Sequence, residues 1–281
     1  MQPVVRQNAG PEFDELADRL SAIADVTGPL IETVTELRLP DPAVIHLMTF
    51  DNWKKAHELR SEQRLSDEAA QFDIGIMGKL KAQHHRSLQL AMRFNFWPMM
   101  AGEAVDLVPC HPELVIVPEA LRHAGLLHND PALHKLVAHE GTHLAQYAAN
   151  GGGIWDDQES FFRQERGVAD RVYAFLLEGH AYWADAQITT KIFGAPVTTG
   201  EASPDASETW RKLASSPFPQ ETKANLLRST EAVAQIIDDV GLDVFNQVWT
   251  QPDLLPTAAD CEQPETWRRR FEHGPRQASS L

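Results

Sequence analysis

Apolar positions along this chain recur mostly at helical spacing. After Pro11, the residues Phe13, Leu16, Leu20 and Ile23 form one stripe that Gly28-Pro29 is expected to close. A second short helix then runs through Ile31, Val34 and Leu37 to the Pro40-Asp41-Pro42 stop. Residues 1 to 10 carry no period and read as a frayed tail. Residues 41 to 59 fit two short helices with Phe50 and Trp53 as core anchors, and 66 to 92 fit a helical stretch loosened by Gly75 and Gly78. Between Ala104 and Pro118 the period changes. Val105, Leu107 and Val108, then Leu114 to Val117, are short runs of β-type residues broken by prolines, which predicts two strands. Their free edge could hold an extended peptide by main-chain hydrogen bonds, or the pair could simply cover the core.

Helical spacing returns for the rest of the chain. Asp130 is a ready N-cap, Pro131 suits a first helical position and Asn150-Gly151 is a stop, so one helix is expected over 130 to 150. After Gly151-Gly152-Gly153, a second informative helix spans Arg171 to Phe193 and is closed by Gly194. Residues 200 to 220 read as a loop with one helical turn, Glu221 to Val240 as a long helix capped by Gly241, and Pro264 opens a last helix with Trp267 and Phe271. Arg268, Arg269 and Arg270 read as a solvated face. The expected class is therefore mainly α with a small β element (α+β). Residues 1–103 would form a helical N-terminal region and 104–281 a metal-binding region, packed as one compact unit.

The chemistry sits on the first of those two helices. Leu136 to Tyr147 reads LVAHEGTHLAQY and holds His139, Glu140 and His143 in an H-E-x-x-H pattern. Residues four apart on a helix stand one above the other, so both imidazoles can reach a single metal ion, while Glu140 stands one step round and can act as general base on a water there. Leu133, Leu136, Val137, Leu144 and Ala145 flank the motif, and a carboxylate between two imidazoles in that setting is costly unless something positive lies among them. On the second helix Phe175, Glu178 and Tyr182 share a face among Leu176, Leu177 and Trp183. Glu178 would be the third ligand, with His180 as the rival, and Tyr182 and His180 are candidates to stabilise an oxyanion. Adjacent His84 and His85 point about 100° apart and read as surface or packing residues. The segment FNFWPMM (94 to 100) seals a helical bundle or lines a groove.

Composition narrows the partners. The chain has 281 residues, 43% of them hydrophobic, and a net charge of -15, which argues against nucleic acid as a partner. No apolar run approaches the ~20 residues of a membrane span, and MQPVVRQNAGPEFDEL lacks a secretory pattern, so a cytoplasmic location without membrane partners is expected. Cys110 and Cys261 fit neither a C-x-x-C motif nor a disulfide framework, which leaves room for one bridge at most.

From Ala132 onward the chain resembles the zincin-like metallopeptidases known mainly from actinobacteria, a domain of unknown function. The residues that carry the likeness are LHKLVAHEGTHLAQY, LLEGHA around Glu178, VGLDVFNQVWTQPDLLPT from Val240 to Thr257, and PETWRRR. The resemblance implies a mostly helical zincin fold, one zinc ion per chain on His139, His143 and Glu178, and Glu140 as base. The expected function is zinc-dependent hydrolysis of a peptide or amide bond. The alternative is a zincin scaffold with a non-proteolytic role, either binding a partner or tailoring one small natural product.

Overall fold

A computed structural model describes residues 3–198 and 202–272. It is mainly helical with one small mixed sheet, the α+β class that the pattern predicts. In chain order the elements are β1 (Val4–Asn8), α1 (Asp14–Thr35), β2 (Val44–Met48), α2 (Phe50–Gln71), α3 (Ile76–Phe96), β3 (Gly102–Val108), β4 (His111–Ile116) and α4 (Pro118–Ala124). There follow α5 (Asp130–Asn150), α6 (Gly153–Gln158), α7 (Tyr173–Phe193), α8 (Glu208–Ala214), α9 (Pro217–Val240), α10 (Leu242–Phe245), α11 (Ala258–Glu262) and α12 (Pro264–Glu272). The sheet runs β1-β2-β4-β3; its first three strands are parallel, and β3 pairs antiparallel with β4.

Strand alternation sorts the side chains onto two faces. Ile45, Leu47, Leu114 and Ile116 join the main core with α1, α5, α7 and α9, whereas Val115 and Val117 pack on the other side with Trp53 and Ala120. The helix α2 meets that second side with Phe50 and Trp53 in its first turn and with charged residues beyond them. Trp53 and His57 donate to Glu103, Arg60 binds the Asp106 carboxylate at 2.7 Å, and Arg64 reaches Asp106 at 3.3 Å.

Several elements differ from the pattern reading, each for a long-range reason. The expected tail is β1, held by parallel pairing of Val4 with Val44 and Val5 with Ile45, a partner some forty residues on that leaves no local period. Residues 44 to 48 are β2 rather than helix, so the sheet straddles residue 103 and the 1–103 region is not wholly helical. Gly28-Pro29 does not end α1. The helix continues through Pro29 because Ile23, Ala24, Ile31 and Val34 are all buried on one side of it, and their burial offsets the ~3 kcal/mol that an internal proline costs. Asn129, not Asp130, caps α5, accepting from the Ala132 N–H. Cys110 and Cys261 are both free.

At the C-terminal end, Trp267 is fully buried against Phe175 and donates its indole N–H to the Leu254 carbonyl at 2.7 Å. The three arginines after it are not simply a solvated face. Arg270 binds Asp260 and the carbonyls of Asp253 and Leu255, and Arg268 pairs with Asp239, pinning α12 behind α7 and α9.

Candidate metal centre

Helices α5 and α7 lie side by side and bring their polar faces together. His139 Nε2 lies 3.5 Å from Glu178 Oε2, and His143 Nε2 lies 3.6 Å from Glu178 Oε1. Donors about 2.0–2.1 Å from a tetrahedral ion stand about 3.4 Å apart, so this spacing fits one metal ion. Among the described residues, these three form the group of histidines, cysteines and carboxylates close enough to share an ion. His180, the rival ligand, is not brought to them. Its ring is fully buried and surrounded by Trp183, Phe245 and Trp249.

Each imidazole is oriented from behind. His139 Nδ1 donates to Asp185 at 3.0 Å, and Asp185 also accepts from Lys135 Nζ at 2.6 Å. His143 Nδ1 donates to Gln146 Oε1 at 2.8 Å, and the Gln146 amide donates to the Leu177 carbonyl and to His180 Nδ1. With both Nδ1 atoms turned to acceptors behind them, both Nε2 atoms face Glu178, which is the ring orientation a metal ligand needs. The charge on the acceptor separates the two rings. Burial opposes a proton on His139, yet the hydrogen bonds to Asp185 and Glu178 and the nearby Glu140 charge push it up to about 10. His143, whose acceptor is a neutral amide, is held below its ordinary value by burial. Burial also works against the Glu178 charge, but the two imidazoles overcome it and hold its carboxyl well below the usual range.

Glu140 faces the same space. Its Oε2 accepts the Ala104 N–H at 2.8 Å, and burial raises its pKa to about 8. The strand that supplies this N–H is itself anchored through Glu103, whose carboxylate takes hydrogen bonds from Trp53, His57 and Arg93. Burial disfavours that charge, but His57 and Arg93 bring Glu103 down to about 2. The outer edge of β3 is thus partly engaged. Ala104 gives its N–H to Glu140, and the Asp106 carbonyl accepts from Arg60 at 2.9 Å, so two groups that an extended peptide would use are already bonded. Tyr182 packs edge-on against His139 with ring centroids 4.5 Å apart and lies under Lys135. Burial and the Glu178, Asp185 and Glu140 charges keep its hydroxyl protonated above the ordinary tyrosine range.

Each of the two site carboxylates is followed by a glycine that lets a backing helix approach. A Cβ on Gly141 would lie 2.5 Å from Ile31 Cδ1 of α1, and one on Gly179 would lie 2.6 Å from the Ser229 carbonyl of α9. The second contact is with backbone and cannot yield, so α9 sits directly against the turn of α7 that carries Glu178.

Asp185, Lys135, Gln146 and the Ala104 N–H are missing from the motif reading. Asp185 did leave a trace, as a second acidic residue seven positions after Glu178 on the same helical face. Gln146, at i+3 from His143, left none that separates it from an ordinary polar residue.

Residues 220–267 match the family model described as zincin-like metallopeptidase. That match includes the expected VGLDVFNQVWTQPDLLPT stretch and the start of PETWRRR, and lies outside the two stretches that bear His139, His143 and Glu178. Over 94% of this chain and 92% of the other, the backbone resembles a crystal structure of a candidate hydrolase with a novel fold from Chloroflexus aurantiacus, with a TM-score of 0.55 and 15% identity. At that identity the likeness concerns the fold. No curated protein matches the sequence. Residues 220–267 thus match the pattern of zincin-like metallopeptidases, behind a partly buried cluster of two histidines and a glutamate.

Proposed function

We propose that this chain is a zinc-dependent hydrolase acting on a peptide or amide bond. The observation that carries the reading is the approach of Glu178 to both imidazole Nε2 atoms, with Glu140 buried beside them. Two imidazoles and one carboxylate are a donor set that hydrolytic zinc sites use; structural zinc sites take four protein ligands and favour cysteine. His139, His143 and Glu178 would hold the ion. When bound, zinc supplies a Lewis acid that polarises the scissile carbonyl and acidifies water.

The remaining steps belong to the protein. Glu140, with its pKa raised by burial, takes the proton of the attacking water and passes it to the leaving amine. The Ala104 N–H keeps the carboxylate aimed at the donor cluster. Tyr182, protonated and packed on His139, would donate to the developing oxyanion. His180, behind Gln146, supports His143 instead.

The partly engaged edge of β3 favours one further distinction, a narrow amide hydrolase rather than a general peptidase, since a long extended substrate would compete with bonds already made. The test is a panel of unstructured peptides and small N-acyl amides offered to zinc-loaded protein. Zinc-dependent cleavage of any of them supports the proposal, and cleavage of the small amides alone supports the narrow form. Zinc-loaded protein that cleaves neither class would overturn hydrolysis and leave the binding scaffold. A quantitative check concerns Asp185. Asp185→Asn keeps the shape but removes the charge that orients His139, and should weaken metal binding about 10–100-fold in a chelator-competition titration. Unchanged affinity would remove Asp185 from the site.

A further inference from the structure

Behind α5, on the side away from its histidines, lies a cavity of about 230 Å³. Gly141, which lines it, stands two positions from both His139 and His143, about 200° round the helix from each. The other walls are Val137 and Leu144 of α5, Val44 and Ile45 of β2, and Leu114 of β4. The last wall is α1 at Gly28-Pro29, the dipeptide that does not end that helix. An internal proline has no N–H for the carbonyl four residues back, and glycine brings no side chain, so the helix is notched at this point. A Cβ on Gly28 would meet only Leu39 Cδ1, at 3.7 Å.

Of the described residues that line this cavity, Glu32 bears the one polar side chain. Glu32 also lines a second, more open hollow of about 400 Å³, together with Pro29, Glu36 and Arg38. An apolar chamber thus passes, at one carboxylate, into an acidic one. We propose that the two hollows form a single site for a primary alkylamine, with a chain of about six to nine carbons in the apolar cavity and the ammonium against Glu32. The length follows from the volume, since an apolar cavity of about 150 Å³ already holds a benzene ring. Water is the poorer occupant of the inner cavity, because a buried water takes about three hydrogen bonds and Glu32 is its one polar side chain.

The sign of the head follows from the groups at the junction. Glu32 is the one charged residue common to both hollows, Glu36 adds a second carboxylate, and Arg38 is the cation beside them. Arg38 lines the outer hollow alone and reaches Glu32 at 3.4 Å with a side chain that is 88% exposed, so an ammonium entering beside Glu32 competes with a solvated pair of little strength. Glu32 Oε1 accepts the Leu39 N–H at 3.1 Å, which holds the carboxylate at the junction. A net charge of -15 favours the approach of a cationic head over a carboxylate head.

Calorimetric titration of the full chain with butyl-, hexyl-, octyl- and decylammonium tests the proposal without reference to hydrolysis. One-to-one binding should tighten about fourfold per methylene up to octylammonium and level off at decylammonium, where the cavity is full. Octanoate should bind about tenfold more weakly than octylammonium. Glu32→Gln, which keeps an oxygen for the Leu39 N–H, should weaken octylammonium about fivefold and leave octanol unchanged. Gly28→Leu fills the cavity and should abolish binding while the melting temperature holds or rises, because leucine is the better helix former; if it melts earlier, Ala43→Leu takes its place. Octylammonium that does not saturate the chain, or that still binds the filled variants, would overturn the proposal. An affinity that climbs unchanged through decylammonium would mark an open surface and overturn it too, as would octanoate bound as tightly as the amine.

Discussion

Glu140→Gln is expected to lower the hydrolytic rate by about 10²–10⁴-fold while leaving metal content and fold intact. The amide oxygen of glutamine can still accept the Ala104 N–H, so the buried position keeps its hydrogen bond. Metal content should hold because the group that could hold an ion is His139, His143 and Glu178, and Glu140 is not among them. What glutamine cannot do is take a proton. The pH profile gives a second readout. A general base works when deprotonated, and burial raises Glu140 to about 8, so kcat/KM of the unaltered chain should fall as pH drops through the pKa of this group. A cation bound beside it would move that limb to lower pH. In Glu140→Gln the acid limb should vanish along with the rate. A glutamine variant with undiminished turnover, or with the same acid limb, would transfer the base to another residue.

What could be read from the residues alone follows the range of the interactions. His139, Glu140 and His143 were legible because helix geometry fixes their relation within four positions. Glu178 was legible for another reason: an acid on the apolar face of a helix is costly without a partner, so its presence signalled one. The groups that orient these residues were hidden apart from the trace Asp185 left on its own helix, since Asp185 meets His139 across 46 positions and Ala104 meets Glu140 across 36. The same holds for the sheet. Strands β1 and β2 are each five residues long and gain their stability from a partner distant in sequence, which no local period reports. The reading of α2 missed its charged stripe because Arg60, Arg64 and Glu68 look like surface residues until Asp106 and Arg166 are set against them. His180 shows the reverse case, a histidine two positions after Glu178 that folding turned into an aromatic core.

Removing the metal should cost the folded state about 4 kcal/mol when the free ion stands roughly 1,000-fold above its dissociation constant. That cost should grow with pH. In the metal-free chain, Asp185 and Glu178 hold a proton on His139 to about 10, and a metal ion must displace it before Nε2 can bind. The proton becomes easier to displace as pH rises, so affinity should increase about tenfold per pH unit between pH 7 and 9, about 1.4 kcal/mol each. The metal-free chain moves in the opposite direction. His139 is raised above its unfolded value of 6.5, so the stability it lends is fully present below that value and is lost as pH rises through about 10. Glu140, raised from 4.5 to about 8, adds a loss of the same sign across that lower window. Thermal melts with and without a chelator at pH 6, 7 and 8 should therefore diverge as pH increases. In His143→Ala the site is left with two donors, and the chelator should have little effect at any pH. If the chelator shifts His143→Ala as far as the unaltered chain, the ion is held elsewhere. If it shifts neither, the proton on His139 has no metal to yield to, and the Asp185–His139–Glu178 row is a buried ion-pair network that holds α5 against α7.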